Sequence, residues 1–395
     1  MLKSDYDVFL VGNKQISSSE LEKMGRECIS NYSQKRKVSI NDYENADKLS
    51  VALFEDSPHI YVNPTENLVL GNYVKDGDTI ATVYGSGDFA LDAVFHGARE
   101  VVGFDINEFQ YPVGAFKTMS LEILSYSDYF TFFSDTRSSL YLDKGIYNTI
   151  KLGNPKNKFY KFWDPIINQY DKDKQVLRGD PMVGMGEFSL FEIALTYAKV
   201  MGIKYAKIPE LIMGPQGVQT PGSYNENAGS YEATGEKLKS SKISFLKSSL
   251  LGFRRQLVLS KYLNSDFSGF DTIYLSNVPE YIKGNAFVDT VKKQLMPLLK
   301  DDGSIVYCCQ GRDLEVLNGS TSSLNLDNNL SVDAVLEKND VIAFDMLSKM
   351  YDVSCDTVQT LSDFNGPGNY DTFVKVMKKW TPCSFFFETK LYFFI

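Results

Sequence analysis

The stretch Val83–Asn107, VYGSGDFALDAVFHGAREVVGFDIN, determines how the fold is predicted. It leaves an apolar run, turns through Gly85 and Gly87, and continues with apolar residues at helical spacing from Phe89 to Phe95. A second apolar run then ends at Asp105. This order of strand, glycine turn, helix and strand predicts two neighbouring parallel strands joined by a right-handed crossover.

The same alternation extends on both sides of this stretch. The strands of the opening stretch are predicted at Thr79–Tyr84 and Glu100–Asp105, further strands at Phe270–Leu275 and Ser304–Cys309, and further helices at Val113–Leu124 and Ala286–Leu299. The alternation stops after about residue 126 and resumes at Phe270. Helical, aromatic-rich segments such as Tyr126–Phe133 take its place in between. We therefore predict an α/β fold: a Rossmann-like sheet with helices on both faces, interrupted by a mostly helical insertion.

The predicted boundaries divide the chain into four parts. They are an N-terminal helical or irregular extension (1–50), the first half of the Rossmann-like domain (51–126), the helical insertion (127–262) with a polar loop at 214–235, and the second half (263–395). The last segment, residues 384–395, is predicted to be a terminal strand.

Bulk composition excludes several classes of protein. A net charge of −9 argues against nucleic acid as a partner, because phosphate neutralisation requires a basic face. We expect no signal peptide and no membrane-spanning helix, since no window of about 20 apolar residues occurs. Five cysteines without a C-x-x-C spacing predict free thiols in a reducing, cytoplasmic setting. With only two histidines, we expect neither a metal site nor a Ser-His-Asp triad.

The glycine turn admits two ligand classes. Gly85-x-Gly87-x-x-Ala90 fits the dinucleotide fingerprint, and Asp105, 18 residues after Gly87, is placed to accept ribose hydroxyls. Asp88 would repel a pyrophosphate, whereas it matches a ligand that carries an ammonium and a sulfonium, or it only caps the helix. This favours S-adenosylmethionine over a dinucleotide, with an NAD-type oxidoreductase as a weaker alternative.

Five segments in order resemble one known family. They are Phe54–Pro58, Gly85–Phe89, Phe104–Asn107, the Leu140-Tyr141 region with Phe162–Asp164, and Ser276–Tyr281. Together they are similar to segments of the betaine-lipid synthase family, S-adenosylmethionine:diacylglycerol 3-amino-3-carboxypropyl transferases and their uncharacterised relatives. The chain departs from that family where Phe54 replaces a tryptophan, where Ser57 precedes the proline, and in the segment 214–235, which does not align.

The resemblance implies a class I methyltransferase-like sheet, S-adenosylmethionine as cofactor, and transfer of the 3-amino-3-carboxypropyl group in betaine lipid synthesis. The acceptor would be a lipid or another hydroxyl or amine compound. A methyltransferase uses the same donor and is the main alternative. A non-catalytic module that keeps the fold is a further one.

Two groups of site residues follow. The predicted cofactor-binding residues leave three strand ends: Gly85, Ser86, Gly87, Asp88, Asp105, Ile106, Asn107, Asn277 and Pro279. The predicted catalytic residues, Glu280 and Tyr281, follow the strand Phe270–Leu275 and would orient or deprotonate an acceptor.

The segment Lys237–Lys261 carries seven basic residues and no acidic one. Its apolar residues recur at roughly helical spacing, which predicts an amphipathic helix. Such a helix either packs on the core or lies on an anionic membrane surface, so a peripheral membrane location is a second hypothesis beside the cytoplasmic one. The oligomeric state is not predicted.

Overall fold

The computed structural model describes most of the sheet and its helices. The described residues are 8–11, 60–61, 68–107, 110–133, 211–212, 222–260, 262–263, 267–310, 332–359 and 370–379, with single positions at 64 and 317 and within 19–27 and 148–168. The strands are β1 (Val8–Val11), β2 (Ile60–Tyr61), β3 (Thr79–Val83), β4 (Glu100–Asp105), β5 (Leu211–Ile212), β6 (Lys242–Lys247), β7 (Phe270–Tyr274), β8 (Leu299–Cys309), β9 (Asp352–Gln359) and β10 (Tyr370–Met377).

Seven helices are described alongside these strands. They are α1 (Asp88–Phe95), α2 (Gln110–Ile123), α3 (Tyr126–Phe133), α4 (Ala228–Leu238), α5 (Phe253–Leu259), α6 (Gly284–Thr290) and α7 (Val332–Met350). Helix α6 continues through a π-helical turn, Val291–Leu295, and a 3₁₀ turn, Met296–Leu298.

The main sheet has the order β1-β6-β4-β3-β7-β8-β10-β9. The five strands from β6 to β8 are parallel, whereas β10 runs antiparallel to both β8 and β9. When the seven strands from β3 onward that belong to this sheet are numbered along the chain, the order is 3-2-1-4-5-7-6, with the seventh reversed. The first five positions have the order of a doubly wound, Rossmann-like sheet, so the predicted α/β fold is confirmed.

The central strands are buried on both sides, which explains their continuous apolar sequences. In β3 the first four residues are buried, and in β4 and β6 all four interior residues are buried. Parallel strands covered by helices on both faces have this pattern. Helices α1, α2 and α4 pack together on one face, and α5, α6 and α7 cover the other. The predictions for β3, β4, α1, β7 and β8 are confirmed to within a few residues.

The predicted insertion 127–262 extends too far. Strand β6 lies inside that range and pairs along its whole length with β4 in the main sheet. The predicted amphipathic helix at Lys237–Lys261 is correspondingly wrong, because the segment contains β6, a 3₁₀ turn and the shorter helix α5. The reason is that four successive buried residues, Ile243–Leu246, cannot be assigned to a helix or a strand by periodicity.

The predicted loop 214–235 is also wrong in its second part. Helix α4 begins at Ala228, and the Asn227 side chain caps it by accepting the Ser230 backbone N–H at 3.1 Å. Residues that are either small or polar occupy most of this helix, so it has little apolar periodicity. Residues 214–221 lie outside the described residues.

In the N-terminal extension, predicted to be helical or irregular, the described residues include the strand β1. β1 pairs antiparallel with β6, with Val8 opposite Leu246. The predicted terminal strand at 384–395 lies outside the described residues. Within the described part of the chain, no helix has the length and apolar character required to cross a membrane.

Candidate functional site

The candidate site lies where the sheet order reverses, at the carboxyl ends of β3 and β7. These two strands are neighbours, and the chain proceeds from β3 toward one edge and from β7 toward the other. Ligands of open α/β sheets bind in the crevice at such a point. The loop Tyr84–Gly87 leaves β3 here, the segment Ser276–Tyr281 follows β7, and Asp105 ends the adjacent strand β4. The structure thus brings the three strand ends that carry the predicted site residues to one edge of the sheet.

The two glycines of the loop have different roles. Both adopt left-handed backbone conformations, with φ of 48° at Gly85 and 87° at Gly87. A Cβ atom on Gly87 would lie 2.5 Å from the Gly114 Cα atom of α2, so Gly87 is required for helix packing. A Cβ atom on Gly85 would meet nothing within 4 Å. Gly85 therefore faces open space, where a ligand could approach the backbone.

The carboxylate of Asp105 connects two of the loops. It accepts the Gly85 backbone N–H at 3.0 Å and the Asn107 backbone N–H at 2.9 Å. Burial raises the pKa of Asp105 to about 6. A carboxylate offers about four acceptor positions, so these two bonds leave capacity for hydroxyl donors. Asn107 is buried and Ile106 is half-buried beside it.

The surroundings of Asp88 differ from the prediction that it receives a ligand's ammonium. Asp88 is 2% exposed, and its carboxylate accepts hydrogen bonds from the Ser86 hydroxyl, the Tyr224 hydroxyl and, at 2.6 Å, the Lys117 ammonium. It does not cap α1 with its side chain, because the N-cap residue is Gly87. The expectation that Asp88 repels a pyrophosphate is not supported either, because the Lys117 ammonium neutralises the Asp88 carboxylate.

One supporting feature was missed in the sequence. The ring of the buried Tyr84 fills a space that Gly103 in β4 and Gly114 in α2 leave open, and a Cβ atom at these positions would lie 2.1 Å and 2.5 Å from ring carbons of Tyr84. The signal was present, because a glycine inside a strand or a helix often marks close approach by another group. Tyr84 thereby fixes the start of the glycine loop.

The segment after β7 is held by the end of β8. Ser276 has a φ of 54°, and among the described residues it is the one non-glycine residue with a positive φ. The Cys308 backbone N–H donates to the Ser276 carbonyl at 2.9 Å. The Asn277 side-chain amide donates to Gln310 Oε1 at 2.9 Å. A left-handed serine is strained, and such strain is frequent at functional sites.

Glu280 and Tyr281 lie in the 3₁₀ turn Val278–Tyr281, in which Pro279 occupies the first turn. Glu280 is 4% exposed, and its Oε1 accepts the Gln310 backbone N–H at 2.8 Å. The Glu280 carbonyl also accepts the Asn339 side-chain amide of α7 at 2.9 Å. Glu280 therefore anchors the turn to β8 and α7, and the side chain of Tyr281 lies outside the described residues.

Of the two histidines, the described one, His96, lies away from this edge. His96 lies at the opposite end of α1, where burial lowers its pKa, and its Nε2 is 3.7 Å from Asp92 Oδ1. His59 lies outside the described residues, as do Phe54–Asp56, Leu140-Tyr141 and Phe162-Trp163. Among the described residues, no group of three or more His, Cys, Asp or Glu could hold a metal ion.

Comparison with known proteins yields weak structural likenesses. No protein-family model and no curated protein matches the chain. An O-methyltransferase from Bacillus cereus in complex with SAH is 9% identical, with 90% of each chain covered and a TM-score of 0.30. CrArsM, an arsenic(III) S-adenosylmethionine methyltransferase from Chlamydomonas reinhardtii, is 10% identical, with 89% of this chain and 73% of that chain covered and a TM-score of 0.31. The SAH-bound methyltransferase PaMTH1 of Podospora anserina is 12% identical, covers 89% and 88%, and has a TM-score of 0.25.

Structural similarity at these TM-scores does not identify a ligand or a reaction. It does not confirm the resemblance to betaine-lipid synthases. The assignment of the fold rests on the strand order.

Proposed function

We propose that this chain is an S-adenosylmethionine-dependent transferase. One observation supports this most strongly: the open, left-handed Gly85 and the carboxylate of Asp105 lie on neighbouring strands and are joined by a hydrogen bond. An adenosine-bearing ligand fits this arrangement, with ribose hydroxyls donating to Asp105 and the rest of the ligand lying against Gly85. The reversed seventh strand favours this ligand over NAD, because dinucleotide-binding sheets have the order 3-2-1-4-5-6.

The bound cofactor would supply a carbon made electrophilic by the adjacent sulfonium. The chain's own residues would supply position. Asp105 must be ionised to accept two hydroxyl donors, and Glu280 would keep the turn Val278–Tyr281 beside the crevice through its bond to Gln310. Tyr281 remains the predicted residue for orienting or deprotonating the acceptor. Catalysis of this kind rests on holding two reactants in line.

Methyl transfer is the first candidate reaction; the strand order does not separate it from the second, because the resemblance implies the same type of sheet for both. Transfer of the 3-amino-3-carboxypropyl group is the second, and it is supported by the sequence resemblance at Gly85–Phe89 and Ser276–Tyr281. The two reactions leave different products from the same donor. Mass spectrometry of reactions with candidate acceptors would detect S-adenosylhomocysteine after methyl transfer and methylthioadenosine after aminocarboxypropyl transfer.

Calorimetry tests the cofactor itself. We expect S-adenosylmethionine and S-adenosylhomocysteine to bind with 1:1 stoichiometry and NAD not to bind. If the folded protein binds neither of the first two compounds, the proposed function is wrong.

A lipid acceptor is the finer proposal for the partner. Leu251, Val258 and Leu259 are 52%, 57% and 39% exposed. In the sequence they lie on either side of the exposed Arg254 and Arg255 of α5. The Ser248 backbone N–H, just before this surface, donates to the Asp105 carbonyl at 2.8 Å, so the surface begins beside the cofactor edge. Apolar side chains among arginines suit an anionic membrane.

Co-sedimentation with vesicles tests this contact. We expect binding to anionic vesicles, weaker binding to zwitterionic ones, and loss of binding in the double variant L251S/V258S. Equal sedimentation of the variant and the unmodified chain would contradict the assignment of this surface.

A further inference from the structure

A buried group of side chains lies directly beneath the glycine loop. Its members come from five separate places in the chain: Ser86 in the loop, Asp88 in α1, Lys117 in α2, Tyr129 in α3 and Tyr224 before α4. The side chains of Lys117 and Asp88 are 1% and 3% exposed, and their charged atoms are 2.6 Å apart. The Tyr129 and Tyr224 hydroxyls lie 3.1 Å apart. We call these five residues the loop cluster.

The loop cluster holds one negative and one positive charge side by side. Burial lowers the pKa of Lys117, while the neighbouring Asp88 carboxylate raises it. Breaking such a pair leaves the remaining charge buried without its partner, which is strongly unfavourable. An intact pair therefore presents almost no net charge to the loop above it.

We propose that Lys117 is a positioning residue of the cofactor site, which neutralises Asp88 and, through Asp88, holds Ser86 and the glycine loop in their binding conformation. This inference rests on the proposed function, because it assumes that the loop receives S-adenosylmethionine. It assigns Asp88 to the support of the loop and not to the ligand's ammonium. The ligand would then bind to a loop whose buried support carries almost no net charge.

The cationic sulfonium provides a charge-sensitive probe of this arrangement. S-adenosylmethionine carries a positive sulfonium that S-adenosylhomocysteine lacks, and the two are otherwise alike except for the methyl group. The ratio of their dissociation constants therefore reports the charge near the loop, whereas a general loss of structure weakens both ligands together.

We would measure both dissociation constants by calorimetry for the unmodified chain, K117M, D88N, the double variant D88N/K117M, and Y224F. In D88N the Lys117 ammonium loses its counter-charge, and burial then lowers its pKa further. We would therefore measure the ratio as a function of pH, and we expect S-adenosylmethionine to weaken relative to S-adenosylhomocysteine by roughly 5- to 20-fold at low pH, where Lys117 keeps its proton, and not at high pH; this is the effect of a unit charge acting over about 10 to 15 Å at an effective dielectric constant near 20. In K117M the ratio is expected to move in the opposite direction.

The double variant removes both charges, so its ratio should return to that of the unmodified chain. Y224F removes a hydroxyl without changing charge, and it is expected to leave the ratio unchanged even if both ligands bind more weakly. If K117M does not fold, the comparison of D88N with D88N/K117M still tests the sign of the effect.

Two results have separate meanings. If the unmodified chain binds neither ligand, the proposed function is wrong, and so is this inference, which rests on it. If the ligands bind but their ratio is the same in all variants, only the role of Lys117 is overturned, and the loop cluster is a structural core.

Discussion

Replacement of Gly87 by alanine tests the close approach of the glycine loop to α2. Two separate effects should add. The left-handed backbone at φ 87° costs an alanine about 1–2 kcal/mol. The new Cβ atom would also lie 2.5 Å from the Gly114 Cα atom, and this neighbour is backbone, which cannot rotate away. Forced displacement of packed elements costs about 1–3 kcal/mol. We expect G87A to lower the free energy of unfolding by about 2–5 kcal/mol.

Gly77 provides a matched control for the backbone effect. Its φ is 85°, nearly that of Gly87, and a Cβ atom there would meet nothing within 4 Å. G77A should therefore lose only about 1–2 kcal/mol. The difference between the two variants, measured by urea unfolding followed by near-UV circular dichroism, isolates the contact with Gly114. If G87A unfolds within about 0.5 kcal/mol of G77A, a spread typical of ordinary surface substitutions, the packing argument is refuted.

Four further outcomes are expected. G85A should unfold like G77A but bind S-adenosylmethionine at least about tenfold more weakly by calorimetry, since a methyl group there enters open space that the ligand would use. Affinity for S-adenosylmethionine should fall about tenfold for each pH unit below about 6 as Asp105 becomes protonated, and D105N should abolish that dependence. Burial raises the pKa of Asp92 to about 7, so its ionisation destabilises the fold as pH rises from about 4 to 7. D92N should remove this loss and raise the unfolding free energy at pH 8 by up to about 4 kcal/mol, the value of that difference in pKa. E280Q keeps an acceptor for the Gln310 N–H, so its turnover should fall by less than about tenfold, whereas a fall beyond about a hundredfold would indicate a base.

The elements predicted best are those whose neighbours in the sheet are also close in sequence. β3, α1 and β4 follow one another within a few tens of residues, and each has an apolar run or periodicity of ordinary length. The strand β6 is not predicted because its four buried residues lie between lysines and are too few to distinguish a strand from a helix. Local pattern therefore predicted the fold class but not every strand in it.

The candidate site divides in the same way. Gly85 and Asp105 could be predicted because the turn and the end of a strand are local features. The partners of Asp88 could not, since Lys117 and Tyr224 are 29 and 136 residues away. A carboxylate that appears exposed in a sequence can be neutralised by a side chain that only the tertiary structure brings near it.

The pairing of β4 with β6 has a consequence for folding kinetics. Glu100 and Lys242, at the start of this pairing, are 142 residues apart, whereas β3 and β4 pair across about 20. Closing the longer loop costs about 1.7 kcal/mol more in chain entropy, and contacts of this range slow folding. Asp105 lies at the end of the late-forming pair, opposite Lys247. The edge of the sheet that carries the candidate site should therefore be completed late in folding, after the βαβ units β3-α1-β4 and β7-α6-β8 have formed.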